Sequence, residues 1–313
     1  MIRRDILKSA GGILLLTGAY RLTYAQSRNS LKDSIEDELI SLREKVERSK
    51  SEVEQMSILK KAVVELNDAA ALHKMKNLAE RHNLSAMVFM GCVYDQGLGG
   101  VKQDSYRGAQ YFHAAAKLGE NLSLHNLGLI FLQGRGVKAN EQVALNYLQL
   151  ASRSHVKHSN IVLGRHYEQK KDYYNARNFY SLSSGYRTHD EATFKMGIYV
   201  FRGISGERKP REGLLLLERA SETWHPQAMM ALIEIYANGL LGSPNPAEAT
   251  KWLEILARNP RPYDKRLAAS IFPRNTLNEF EMHEIMKSVQ IWLNAHPIPT
   301  AITDYNKTIW EYS

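Results

Sequence analysis

Small, apolar and polar positions recur along this chain in one frame. Its clearest copy is Leu127-Gly128-Leu129-Ile130-Phe131-Leu132-Gln133-Gly134-Arg135-Gly136-Val137. The central small position returns at Gly91, Gly128, Gly164 and Gly197, and Ile233 takes the fifth place. Five places earlier stand Ala86, Ser123, Ser159, Ala192 and Ala228; three places later stand Tyr94, Phe131, Tyr167, Val200 and Tyr236. The spacing of 33 to 37 residues is the signature of a stacked repeat array. Gly97, Gly134, Gly203 and Gly239 follow as turn residues.

A second helix keeps step with the first. It opens on a small residue at Gly108, Ala144, Ala176, Gly213 and Ala249, with Tyr111, Tyr147, Phe179, Leu216 and Trp252 three places on. Four places before each opening lie Asp104, Asn140, Asp172, Lys209 and Asn245. Asp and Asn there predict N-caps, because their side-chain oxygens accept an orphan N–H of the first turn. Lys209 cannot cap in that way, but Pro210 follows it, and proline is preorganised for the first helical position. Each unit therefore reads as helix A, a turn and helix B. Small residues permit close approach, and large ones fill the space between.

These residues resemble the Sel-one-like repeat (SLR) family, a relative of the tetratricopeptide arrays. The likeness rests on A-x4-G-x2-Y-x2-G-x-G-V followed by a small-x2-aromatic-x3-A helix, over roughly residues 85–260. Gly99-Gly100 adds a residue to the first turn. The third unit has Gln169-Lys170-Lys171-Asp172 in place of the glycine turn and looks closer to a tetratricopeptide hairpin. Ile233 in place of glycine is expected to open the packing of the fifth. The resemblance implies an all-α, right-handed superhelical solenoid of helix-turn-helix repeats of about 36 residues, with helical caps at both ends.

Outside the five repeats, residues 26–60 are polar and helix-prone. Ile35, Leu39, Leu42, Val46, Val53 and Met56 form a coiled-coil-like seam broken by Ser49. This segment reads as a cap on the array or as a dimerisation helix. Residues 61–84 read as a degenerate repeat. Residues 261–313 read as C-terminal capping helices and a tail: a short helix near 263–271, then a longer one capped by Asn275 or Thr276. The longer helix runs to about Ala295, with Phe280, Ile285, Val289 and Trp292 on one side.

Composition narrows the function. The formal charge is +8, but residues 1–25 carry Arg3, Arg4, Lys8 and Arg21 against Asp5, so the remainder is only mildly basic. No basic stripe interleaved with aromatics stands out, which argues against nucleic-acid binding. Residues 1–25 read as an export signal: a basic start, an apolar run from Gly11 to Tyr20, and Thr23-Tyr24-Ala25 before cleavage. Arg3-Arg4-Asp5-Ile6-Leu7-Lys8 also resembles a twin-arginine signal, so either the twin-arginine or the general route is open. The apolar run is short for a membrane span. The expected location is the periplasm. Cys92 is the single cysteine, so no internal disulfide is available and it reads as a packed or groove residue.

Catalytic motifs are scarce. Ser57-Ile58-Leu59-Lys60 matches the S-x-x-K of penicillin-recognising enzymes, but the S-D-N and K-T-G partners are missing. His155 and His158 have metal-ligand spacing without paired cysteines or H-E-x-x-H, and read as a solvated turn. No cofactor or metal is expected. The leading reading is a non-enzymatic adaptor that holds a segment of another protein. The alternative is a hydrolase or binder of cell-wall or β-lactam-like substrates, which the resemblance suggests through cysteine-rich family members. In tetratricopeptide arrays the groove is lined by helix A residues three before and one, four and five after the central position. Carried over by resemblance, that frame selects His125, Leu129, Leu132 and Gln133, then Arg165, Glu168 and Gln169, then Phe194, Phe201 and Arg202. Gly91, Gly128, Gly164, Gly197, Tyr94, Tyr167 and Tyr236 are the structural positions of the repeat.

Overall fold

A computed structural model describes residues 34, 36–42, 51–184, 190–261, 266 and 277–297. The expected export signal, the short helix near 263–271 and the tail after Pro297 lie outside these residues, apart from Arg266. Among the described residues every regular element is a helix. The described residues divide into two compact units, one ending at Leu118 and one beginning at Gly119.

The first unit holds α1 (Glu52–Leu66), α2 (Ala69–Glu80), α3 (Leu84–Gln96) and α4 (Ser105–Lys117). The boundary expected at residue 60 falls inside α1. Ser51 caps that helix, its Oγ accepting from Glu54 N at 3.2 Å, and Asn67 ends it in the left-handed region, φ 53°. A capped start at 51 and a left-handed stop at 67 make α1 one continuous helix, which pairs with α2. Of the seam residues, Leu42 and Met56 are buried while Val53 is 81% exposed, and Leu59 and Val63 continue the buried side of α1.

The second unit holds α5 (Asn121–Gln133), α6 (Glu141–Arg153), α7 (Lys157–Gln169), α8 (Tyr173–Ser181), α9 (Asp190–Arg202), α10 (Pro210–Glu222), α11 (Pro226–Ala237), α12 (Pro246–Leu256) and α13 (Glu279–Ala295). Helices pack as consecutive pairs, α5 on α6 through α11 on α12, and each pair packs on the next. The helix B caps form as the sequence predicts. Asp104, Asn140, Asp172 and Asn245 accept from the backbone N–H three residues on, at 3.0 to 3.1 Å. Lys209 makes no side-chain cap, and Pro210 starts α10.

Within each pair the central glycine receives one large side chain of helix B. A Cβ on Gly128 would lie 2.6 Å from Leu148 Cγ, and one on Gly164 would lie 2.5 Å from Tyr180 Cε1. Phe112 fills the notch at Gly91, and Leu217 the notch at Gly197, at 2.9 Å. These residues sit four places after the opening of helix B, one beyond the aromatic row that the sequence singles out. The aromatic row stacks on helix A instead. Tyr94 and Tyr111 lie 5.6 Å apart, Phe131 and Tyr147 5.8 Å, and Tyr167 and Phe179 5.5 Å. Tyr236 is half-buried and donates from its hydroxyl to Glu218 Oε1 at 3.2 Å. Ile233 is fully buried among Trp252, Ile255 and Leu256, so the fifth pair fills its notch with its own side chain rather than opening.

The array closes on α13. Its cap is Asn278, in a capping box with Glu281, rather than the expected Asn275 or Thr276. Ile285 and Val289 are buried, and Trp292 packs edge-on against Trp224 and Trp252 at 5.2 and 5.9 Å. Phe280 is 72% exposed rather than aligned with them. At about 100° per residue it stands roughly 140° from Ile285, off the 285–289–292 stripe.

The notches carry a stability prediction. Alanine in place of a mid-helix glycine ordinarily favours the helix by about 1 kcal/mol. At Gly128 the added methyl meets the Leu148 side chain and stands 3.3 Å from the Ala144 carbonyl. Overpacking of this kind costs about 1–3 kcal/mol. Gly128→Ala is therefore expected to lower the urea midpoint and Gly128→Leu to lower it further; an unchanged or higher midpoint for both removes the notch.

Candidate functional site

The helix A side of the second unit is built from α5, α7, α9 and α11. The structure separates the ten sequence-predicted residues into two sets. His125, Leu129 and Phe201 are buried and form part of the scaffold. His125 Nδ1 lies 3.0 Å from Ser159 Oγ on α7, Leu129 packs with Val162 and Leu163, and Phe201 joins the cluster of Leu217 and Trp224. His125 and Leu129 flank the central glycine and meet the next helix A, whereas Phe201 backs onto Gly213 of its own helix B. Leu132, Arg165, Glu168 and Phe194 are half-buried, and Gln133, Gln169 and Arg202 are exposed.

The charged members of this face neutralise one another. Glu191 accepts from Arg165 Nε and from His225 Nε2, each at 3.3 Å. His225 caps α11, its Nδ1 accepting from Ala228 N at 3.2 Å. That acceptor role places the ring proton on Nε2, aimed at Glu191. The imidazole also stacks on Phe194 at 4.6 Å. Burial alone would push the Glu191 carboxyl up, but the hydrogen bond from His225 and the charge of Arg165 hold it down, at about 2.

Glu168 is the second node. It accepts from Lys195 Nζ at 2.7 Å, Tyr180 Oη at 3.1 Å and Tyr199 Oη at 3.2 Å. Burial, and then the Glu168 charge, push both phenols above their ordinary range. Arg202 approaches Glu234 at 4.0 Å on the surface, where an ion pair contributes little. Glu191, Lys195 and His225 escape the tetratricopeptide frame. A signal for two of them is present in the sequence: plus-minus at Arg165 and Glu168 meets minus-plus at Glu191 and Lys195 one helix A later.

The other candidates come apart. Ser57 is exposed while Lys60 is buried on the same helix, and desolvation lowers the Lys60 pKa. His155 stands in a turn at φ 64° and is exposed, whereas His158 is buried, its ring 6.1 Å from that of His125. Among the described residues no three His, Cys, Asp or Glu side chains gather as metal ligands, and no helix is long and apolar enough to cross a membrane. His158 instead packs beside His125 in a seam of buried polar residues that also includes Ser159, Asn160 and Ser183. In it Ser152 Oγ donates to Asn160 Oδ1 at 2.5 Å, Asn160 Nδ2 to Ser183 Oγ at 3.0 Å, and Ser183 Oγ to the Lys157 carbonyl at 2.8 Å.

Comparison with known proteins follows the repeats. The Sel1 repeat model matches residues 84–120, 122–155, 190–222 and 227–259. The unit without a glycine turn, which forms the α7–α8 pair, falls between the matched segments. A Sel1 repeat protein of Oxalobacter formigenes aligns at 18% identity over 71% of this chain and 93% of that one, with a TM-score of 0.58. A protective antigen with an SLR fold, present in uropathogenic Escherichia coli strains, aligns at 16% identity over 82% and 66%, with a TM-score of 0.46. No curated protein matches.

The seam predicts acid sensitivity. Burial, and then the adjacent His158, hold His125 at about 3, below the ordinary imidazole value of about 6.5. Its stabilising contribution is therefore complete above pH 6.5 and is lost as pH falls toward 3. At pH 5 the loss amounts to about 2 kcal/mol. Urea midpoints of the parent chain should fall between pH 7 and pH 5, and that fall should shrink in His125→Gln; an equal fall in both proteins contradicts the assignment.

Proposed function

We propose, for a chain that is a Sel1-repeat protein of the tetratricopeptide-like SLR family, that it acts as a non-enzymatic adaptor in the bacterial periplasm. The Sel1 repeat scaffold supports a protein–protein interaction role. The observation that carries the finer reading is the composition of the helix A face. Arg165, Glu191, His225, Glu168 and Lys195 satisfy one another, so the face offers apolar and amide groups rather than open charges. Leu132, Phe194, Ile198 and Met230 are half-buried there, with Gln133 and Gln169 exposed at its edge. Amides beside apolar groups suit an extended segment, whose backbone takes hydrogen bonds while its side chains cover the apolar patches. Export rests on residues 1–25, with their basic start and apolar run.

Photo-crosslinking groups placed singly at Gln133, Gln169 and Arg202 should capture one common partner from envelope extracts. The same group at Arg219 or Glu222, exposed on α10, should not. Capture only from the α10 positions places the contact face on the B helices. For export, mature protein recovered from the periplasm should begin near Gln26; recovery only from the cytosol with Met1 or Ile2 intact contradicts it. Lysines in place of Arg3 and Arg4 should block export only on the twin-arginine route.

A further inference from the structure

The helix A-to-B turns of the fourth and fifth repeats border an open cleft of about 630 Å³, lined by Arg208, Lys209, Pro210, Arg211, Glu212, Leu240 and Leu241. Three of its side chains are cationic and one is acidic. Lys209 pairs with Glu207 at 3.4 Å, both exposed. Arg208 donates from Nε to the Phe201 carbonyl at 3.3 Å, which holds one edge of its fork and leaves the two Nη groups available. Among the described residues neither Arg208 nor Arg211 has a carboxylate within ion-pair distance. The opposite wall is apolar, with Leu240 and Leu241 each 42% exposed. The backbone agrees with the charge. Four other B helices satisfy their third N–H with an Asp or Asn side chain, whereas at α10 that place is held by Lys209.

We propose that this cleft is a docking site for an acidic peptide segment that carries a large aliphatic side chain beside its carboxylates. The guanidinium groups of Arg208 and Arg211 set the sign of the partner's charge, since a wall with a net cationic excess attracts carboxylates and repels basic segments. Guanidinium forks favour carboxylates through paired N–H donors. The leucine wall supplies apolar area that a bare anion would leave exposed, so the occupant carries both features. The site lies at the turns and is independent of the helix A face described above.

The test uses the mature chain and a fluorescein-labelled hexapeptide of alternating glutamate and leucine, followed by anisotropy. Its controls are the same peptide with glutamine for glutamate, and vesicles of phosphatidylglycerol. The acidic peptide is expected to bind, the glutamine peptide to bind at least about tenfold more weakly, and added salt to weaken the acidic complex. Arg208→Glu with Arg211→Glu should weaken binding by about tenfold or more, and Leu240→Ser with Leu241→Ser should weaken it without changing salt dependence. Thermal melting should hold in both variants, because all four side chains are exposed. Equal binding of the two peptides, or full binding by the charge-reversed variant, overturns the proposal. Vesicle binding that depends on these residues, without peptide binding, replaces the acidic segment with an anionic membrane surface.

Discussion

The architecture depends on the space left by an absent side chain. At Gly91, Gly128, Gly164 and Gly197, helix A has no Cβ, and Phe112, Leu148, Tyr180 and Leu217 occupy the vacated volume. A mid-helix glycine costs about 1 kcal/mol against alanine in helix propensity. Burial of a large apolar side chain returns about 1.5–3 kcal/mol, so packing outweighs propensity. The small openings of helix B complete the approach. A Cβ on Gly108 would stand 2.8 Å from the Gly91 carbonyl, and one on Gly213 would stand 2.5 Å from Phe201 N. The two helices of a pair are thus keyed by one large residue and two small ones.

That keying leaves the outer side of helix A to serve contacts between repeats, and the two kinds of contact differ chemically. Within a pair the notch contact is apolar, with polar contacts beside it such as Tyr180 Oη to Glu168. Between A helices of the second unit the contact is partly polar, running from the His125–Ser159 hydrogen bond to the Glu168 and Glu191 networks. Buried polar groups of this kind cost free energy unless they are matched, and they match in only one register. The same networks remove open charge from the face, which is why the adaptor reading rests on apolar and amide groups. A net excess of cationic groups gathers instead at the turns of the fourth and fifth repeats, at Arg208, Lys209 and Arg211.

Much of the fold was legible because repetition made the same physical requirement visible several times. The notch glycines, the Asp and Asn caps, and the Pro start of α10 all follow from single-residue chemistry repeated in register. The third repeat was legible as a helix pair despite its Lys170-Lys171 turn, since Lys171 takes φ 61° without glycine. The face was less legible. Exposure of His125, Leu129 and Phe201 depends on how closely A helices approach, and one sequence does not state that distance. The residue that fills each notch was missed by one place, because both rows of helix B are apolar and only geometry separates stacking from filling. Phe280 was misplaced for a simpler reason, as a five-residue step crosses to another side of the helix.

A double-mutant cycle between Gly91 and Phe112 addresses the keyed notch most directly, because the three nearest atoms that a Gly91 Cβ would meet all belong to the Phe112 ring. Stability would be measured by urea unfolding for Gly91→Ala, Phe112→Leu and the pair. The account predicts that each single change destabilises and that the double change costs less than their sum, by about 1 kcal/mol or more. Additive losses within about 0.5 kcal/mol would contradict it, because they would mean that the methyl and the ring never compete for the same space.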